Sequence, residues 1–254
     1  MERTAVTLIG VPGVPLVQPG DDLPSLVVDA LVRAGLPPTA GDVVAVTSKI
    51  VSKAESQVVD LRTVVPSERA RELAAATEKE PELVELILQE STDIVRAVPG
   101  LLIVRHRLGF VSANAAIDRS NADGTDHTAL LMPLDPDGSA AAIKDALDRA
   151  FEAPVGVVVT DTHGRPFRRG SIGVAIGVAG FEAVVDMVGS HDLFGRELQA
   201  TVVPLADEIA AAAALVSGET SEGLPLVLVR GVSLRVAEGN AEELLFPPER
   251  DLFA

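Results

Sequence analysis

Six short apolar runs, each rich in β-branched residues, constrain this chain more than any other feature. They are TAVTLI (4–9), DVVAVT (42–47), LLIVR (101–105), VGVVVT (155–160), IGVAIGVA (172–179) and PLVLVR (225–230). Runs of this length and composition predict strands buried in a sheet. Helical spacing of apolar residues fills the intervals, over Leu23 to Ala34, Ser67 to Ala76 and Pro81 to Gln89. Ser139 is the expected N-cap of a helix reaching Phe151, and a last helix spans Ala206 to Val216, with Gly218 as its stop. The segments 101–105 and 110–113 are joined by a turn at Leu108-Gly109, so neighbouring strands are interleaved with helices. That order predicts an α+β or mixed α/β fold rather than a clean doubly wound sheet. One domain over residues 1–254 is expected, with Pro133, Pro136 and Gly138 marking a boundary between two lobes.

Composition narrows the functions available. Hydrophobic residues make up 47% of the chain and aromatics 3%, with no Trp or Tyr. The core is therefore aliphatic, and the chain lacks the stacking surface that sugars and single-stranded nucleic acids require. A net charge of −16 with no basic tail repels nucleic acid. Small anions remain admissible where cations are placed locally, because salt screens fields beyond about 8 Å. The absence of cysteine removes disulfides, thiolate catalysis and Cys-zinc sites. The N-terminal MERTAVTLIG carries no signal-type apolar region, and no run of about 18 apolar residues occurs. No membrane role and a cytoplasmic location are the expectations.

Common catalytic signatures are missing. There is no G-x-x-x-x-G-K-[ST], no H-E-x-x-H and no G-x-S-x-G. Gly170, Gly173, Gly177 and Gly180 do not fit G-x-G-x-x-G and read instead as sites of close backbone packing in a strand. A calcium loop centred on Gly124 would need carboxylates where Arg119 and Leu130 stand.

Three segments can carry chemistry. In TDTHGRPFRRG (160–170), Asp161 and Thr162 follow a buried strand and offer hard oxygen ligands for Mg²⁺ or Mn²⁺. Arg165, Arg168 and Arg169 follow closely and suit phosphate or carboxylate oxygens, although a solvated arginine face would use the same residues. In NAAIDRSN (114–121), Asp118 is a candidate second metal carboxylate and Asn121 a base or sugar contact; a polar turn is the plainer account. In TSKIVSKAE (47–55), Lys49 and Lys53 are two of only four lysines, and Ser48 and Ser52 add hydroxyls beside them. The loop GVPLVQPGDDL (13–23) can turn backbone N–H groups toward a ligand. Asp207 and Glu208, in a helix's first turn, are explained by the helix dipole without any site, though either could reach a metal, and the loop GETSEG (218–223) is similarly ambiguous. His163 is placed to contact substrate, whereas His106, His127 and His191 show no metal-like spacing.

These landmarks together resemble the coenzyme F420-0:L-glutamate ligase, or gamma-glutamyl ligase, family. The matching stretches are PLVQPGDDL, GDVVAVTSKIVSKAE, PSERA, NAAIDRSN, LLMPLDPDGSA, VVVTDTHGRPFRRG, DLFGREL, PLADEIAAAA and LVRG, in family order from Val11 to Gly231. The resemblance implies a fold that is neither P-loop nor Rossmann, and an intertwined homodimer. It further implies GTP-driven attachment of L-glutamate to the deazaflavin precursor F420-0, with two divalent ions per site, Mg²⁺ or Mn²⁺, and K⁺ as a further ion. Carried over by motif, Asp118, Asp161 and Thr162 are similar to the metal residues. Val14, Pro15, Leu16 and Val17, with Ser48, Lys53 and Asn121, are similar to the GTP contacts. Lys53, Asp118 and Asp161 are then the expected catalytic groups, with the carboxylates of Asp118 and Asp161 sharing one pocket. Lys49 stands where other members vary and receives no role. Some relatives continue past a segment resembling Asp251-Leu252-Phe253 into a flavin-binding domain, so both a stand-alone ligase and the N-terminal ligase part of a bifunctional protein fit. From the residues alone, a metal-dependent phosphohydrolase, a non-catalytic nucleotide binder and a same-fold ligase for another carboxylate acceptor stay open.

Overall fold

A computed structural model describes residues 5–120 and 125–247 of the chain. In chain order its elements are β1 (Thr7–Gly10), α1 (Leu23–Ala34), β2 (Val43–Thr47), α2 (Ser48–Ala54), β3 (Val58–Asp60), α3 (Glu68–Thr77), α4 (Pro81–Gln89), β4 (Ser91–Val98), β5 (Leu101–His106) and β6 (Val111–Ala113). There follow β7 (Thr128–Leu130), α5 (Pro136–Phe151), β8 (Gly156–Gly164), β9 (Ser171–Ala179), β10 (Val185–Asp186), β11 (Val202–Val203), α6 (Leu205–Ser217) and β12 (Leu226–Arg230). The fold is mixed α and β, as the order of patterns predicts.

Five strands form the central sheet in the order β1-β12-β2-β8-β9, with only β2 and β8 parallel. β2, β8 and β12 are buried over four consecutive residues each, so their apolar runs are continuous rather than alternating. Side chains still divide by period two. Val44, Val46, Val157 and Val159 meet α1 and α5 on one face; Val43, Ala45, Val158 and Val227 meet α6 on the other. α1 begins at Asp22, whose carboxylate accepts from Ser25, and ends at Gly35 in the left-handed conformation. Both caps are the residue types such ends select.

The second layer is the antiparallel sheet β4-β5-β6, with α3 and α4 packed on it around Leu73, Val84, Ile87, Leu102 and Val104. β4 carries two register irregularities against β5 and is mostly exposed, which explains why its sequence shows no alternation.

Several expectations need correction. Helix α5 starts at Pro136 and is capped by Asp135; Ser139 lies within it and donates its hydroxyl to Glu55 Oε1 at 2.5 Å. Pro136 therefore opens a helix, the position where a missing N–H costs nothing. Strand β8 runs on to Gly164 instead of ending at Thr160, pairing with β9 as a long hairpin. Gly170 is a turn residue with φ of 84° where a Cβ would meet nothing within 4 Å, whereas Gly173 and Gly177 do serve close packing. A Cβ on Gly173 would lie 2.5 Å from the Ala210 carbonyl oxygen of α6, and one on Gly177 would lie 2.4 Å from that of Pro136 in α5.

Since the obstruction at Gly177 is backbone, it has no side chain to move aside. Gly177→Ala is expected to destabilise the protein by about 1–3 kcal/mol, read as a fall in the far-UV circular dichroism melting temperature. Gly164→Ala, whose Cβ meets nothing within 4 Å, should stay within about 0.5 kcal/mol.

Candidate active site

The direction of the strands gathers the site. β1, β2 and β8 all run the same way, because β12 is antiparallel to both β1 and β2 while β2 and β8 are parallel. The segments leaving β1, β2 and β8 and the one entering β12 therefore meet at a single edge of the sheet. Ligands collect at such carboxyl ends in open α/β sheets. Between these segments lies a cavity of about 830 Å³.

Each wall comes from one segment. The loop after β1 supplies Val14, Pro15, Leu16 and Val17. β2 passes into α2 without a loop, which puts Ser48, Lys49 and, one helical turn on, Lys53 at the cavity. β8 continues past the last residue of β2, where Thr47 pairs with Thr160, and presents Asp161 and Thr162. The turn between α6 and β12 closes the remaining side with Gly218, Glu219 and Glu222.

Ser48 is buried, and its hydroxyl donates to Asp161 Oδ1 at 2.8 Å. The other oxygen, Oδ2, lies 3.0 Å from His163 Nε2, though the ring is not aligned to donate to it. The Thr162 hydroxyl donates to Glu219 Oε1 at 3.0 Å. Glu219 is the residue that sequence reasoning left unresolved. Its signal was an acid in a Gly-bounded turn just ahead of a buried strand.

Asp118 does not line this cavity, so the expectation that its carboxylate and that of Asp161 share one pocket is not met; Lys49 lies between the two. It sits just after Asn114, Ala115 and Ala116, three consecutive residues with φ near +54°, an arrangement that costs L-residues energy at each position. Its Oδ2 pairs with Lys49 Nζ at 2.6 Å, and Oδ1 accepts from the Ser120 N–H at 2.6 Å. The adjacent residues Ser48 and Lys49 thus hold the two candidate metal carboxylates, one each. Asn121 lies outside the described residues.

Arg165, Arg168 and Arg169 sit in the tip of the β8–β9 hairpin, and none of them lines the cavity. His163 faces a separate cavity of about 540 Å³ shared with Phe110, Asp137 and Asp207, and its ring contacts Phe110 at 4.7 Å. Asp207 caps the Ala175 N–H on the outer edge of β9, and Asp137 does the same for Val178. Burial pushes both carboxyls above the usual range, and the N–H donors offset this only in part.

Among the described residues no three His, Cys, Asp or Glu side chains converge as a metal centre. The cavity instead offers Asp161, Thr162 and Glu219, an all-oxygen set. That set fits Mg²⁺ or Mn²⁺, which take few protein carboxylates and complete their shell with water and phosphate oxygens.

A mixed sheet with an oxygen- and lysine-lined cavity at its carboxyl edge, and no Walker loop, stands outside the P-loop and Rossmann classes. The family model for F420-0:Gamma-glutamyl ligase matches residues 13–231. The chain is 45% identical over 251 residues to the coenzyme F420:L-glutamate ligase of Methanothermobacter thermautotrophicus, covering 98% of both chains. Identity to the protein of the same name from Archaeoglobus fulgidus is 43%, over 97% of this chain and 96% of the relative. With that from Haloarcula marismortui it is 43%, over 96% and 94%. The chain belongs to the gamma-glutamyl ligase family.

The electrostatics of Asp118 can be checked directly. Burial raises its carboxyl, but hydrogen bonds from Lys49 and Ser120 outweigh burial and hold it below the usual aspartate range. A depressed value means that the stabilisation is complete above the ordinary aspartate pKa and is lost as pH falls through the lowered one. Both partners keep about a third of their side-chain surface exposed (34% and 30%), so the contribution is at most about 1 kcal/mol. Asp118→Asn should melt slightly lower than wild type at neutral pH, with the two curves converging in acid. A gap that persisted in acid would contradict this account of the pair.

Proposed function

We propose that this protein joins L-glutamate to F420-0 at the cavity on the carboxyl edge of the central sheet, using GTP and divalent cations. The observation that carries the reading is the convergence of Val14–Val17, Ser48, Lys53, Asp161 and Thr162 on that one cavity. These residues come from three distant segments, and each stands in a motif shared with the family. The relatives' names supply the reaction class.

In this reading the γ-phosphate of GTP passes to the terminal carboxylate of the acceptor, giving an acyl phosphate and GDP. The glutamate amine then attacks the acyl carbon, the C–O bond to phosphate breaks, and the amine loses a proton. Lys53 holds the phosphate chain as a point charge. The Ser48 hydroxyl fixes Asp161 in one orientation, and Thr162 and Glu219 hold one another across the cavity. Asp161, Thr162 and Glu219 would hold one divalent ion and Asp118 would serve a second. Bound there, such ions supply charge neutralisation at the transferring phosphoryl group. No nucleophilic side chain is needed, because placement of charge and alignment of the two substrates lower the barrier.

Incubation with GTP, Mn²⁺, L-glutamate and F420-0 should yield a product heavier by one glutamyl unit in mass spectrometry, with GDP and phosphate formed in step. GTP breakdown that ignores glutamate and acceptor would favour a phosphohydrolase instead. Asp161→Asn should cut turnover by at least about 100-fold with an unchanged circular dichroism spectrum; normal turnover would remove Asp161 from the mechanism.

A homodimer belongs to the same proposal. Phe167, Leu193 and Phe194 are 91%, 98% and 89% exposed, apolar surface of the kind that a second copy would cover. Light scattering behind size exclusion should give twice the 26.4 kDa chain mass, and a single-chain mass would refute it.

A further inference from the structure

Lys49 stands between two places. It lines the 830 Å³ cavity, which Asp118 does not, and yet its ammonium is committed to Asp118. Nζ lies 2.6 Å from Asp118 Oδ2 and donates to Ser120 Oγ at 3.2 Å. The Ser120 N–H takes Oδ1. Both oxygens of this carboxylate are therefore engaged by protein donors, and its charge is balanced by the Lys49 ammonium.

A carboxylate held in this way cannot also take a divalent ion at the same oxygen. Two positive centres would then share one anion at contact distance, and the lysine, on a flexible four-carbon stem, is the one able to leave. The cavity it already lines gives it somewhere to go, beside Lys53 and in reach of an anionic ligand.

We infer that Lys49 competes with divalent cations for Asp118: its ammonium occupies the carboxylate, and a cation binding there displaces it toward the cavity. Cation binding at Asp118 and release of the lysine charge are then a single linked equilibrium. Any anion in the cavity that favours the released lysine must tighten cation binding by the same factor. The inference rests on Asp118 serving a metal, as proposed above.

The test is Mn²⁺ binding to the nucleotide-free protein, followed by the electron paramagnetic resonance signal of free Mn²⁺. No GTP, amino acid or acceptor is present. Lys49→Met should bind Mn²⁺ about tenfold more tightly than wild type at one site, equivalent to about 1.4 kcal/mol. Lys49→Arg, which keeps the charge, should remain close to wild type. The gain should disappear when Asp118→Asn is combined with Lys49→Met. Lys49→Gln serves in place of the methionine variant if the latter does not give a wild-type circular dichroism spectrum. Unchanged or weaker Mn²⁺ binding by the neutral variants overturns the inference, as does a gain that survives Asp118→Asn. Because no substrate is used, such a failure is separate from that of the ligase reading, which the glutamyl-addition assay on wild type decides.

Discussion

The architecture of the site depends on the first turn of α2. Strand β2 ends at Thr47 and the helix begins at the next residue, so no loop slackens the geometry. Thr47 is held on both sides, paired with Thr160 in parallel register and donating its N–H to the Pro225 carbonyl at 3.0 Å. That grip brings the end of β8 and the turn before β12 against the same helix start. Ser48 then reaches Asp161 across 113 positions of sequence, while Lys49 reaches Asp118. Moving the end of β2 by one residue would turn Ser48 to the opposite face and release Asp161, because side chains alternate along a strand.

The distribution of charge follows from the same geometry. A chain of net charge −16 must still offer an anion somewhere to bind, and it does so locally, with two of its four lysines at one cavity. The acids in that wall are restrained by hydroxyl groups, Asp161 by Ser48 and Glu219 by Thr162. Other acids serve the backbone: Asp137 and Asp207 occupy outward N–H groups of β9, one of the two edge strands of the central sheet. An edge covered by carboxylates is a poor template for pairing with another chain. The same residue type therefore has three roles here, as cap, as edge guard and as candidate ligand, and only position separates them.

Legibility varied with the length of the local signal. α1, α3, α4 and α6 were readable within about a residue because each spans at least two turns and carries a terminal signal: Asp22 and Gly35 for α1, Ser67 for α3, Pro81 at the first position of α4, and Gly218 after α6. α2 was missed, since seven residues following an apolar strand give no helical period to detect. β4 was missed because its irregular register breaks the alternation, and β3 and β7, of three residues each, are too short to show one. At the site, Asp161, Thr162, Ser48 and Lys53 were legible from motifs. Glu219 and the partnership of Lys49 with Asp118 were not, because nothing local marks a contact between segments more than fifty residues apart.

By itself the sequence determined the strands and helices with clear period, the aliphatic core, the exclusion of thiol and P-loop chemistry, and the motifs that connect the chain to its family. Those are properties of neighbouring residues, set by backbone sterics, side-chain burial and composition. The tertiary structure alone decided which motifs meet. It drew Val14, Ser48, Asp161 and Glu219 to one edge, left the three arginines on a hairpin tip, and placed a lysine between Asp118 and the cavity. The physical reason is that strand order and direction are fixed by long-range pairing, where the energy lies in packing two faces of one sheet rather than in any local segment.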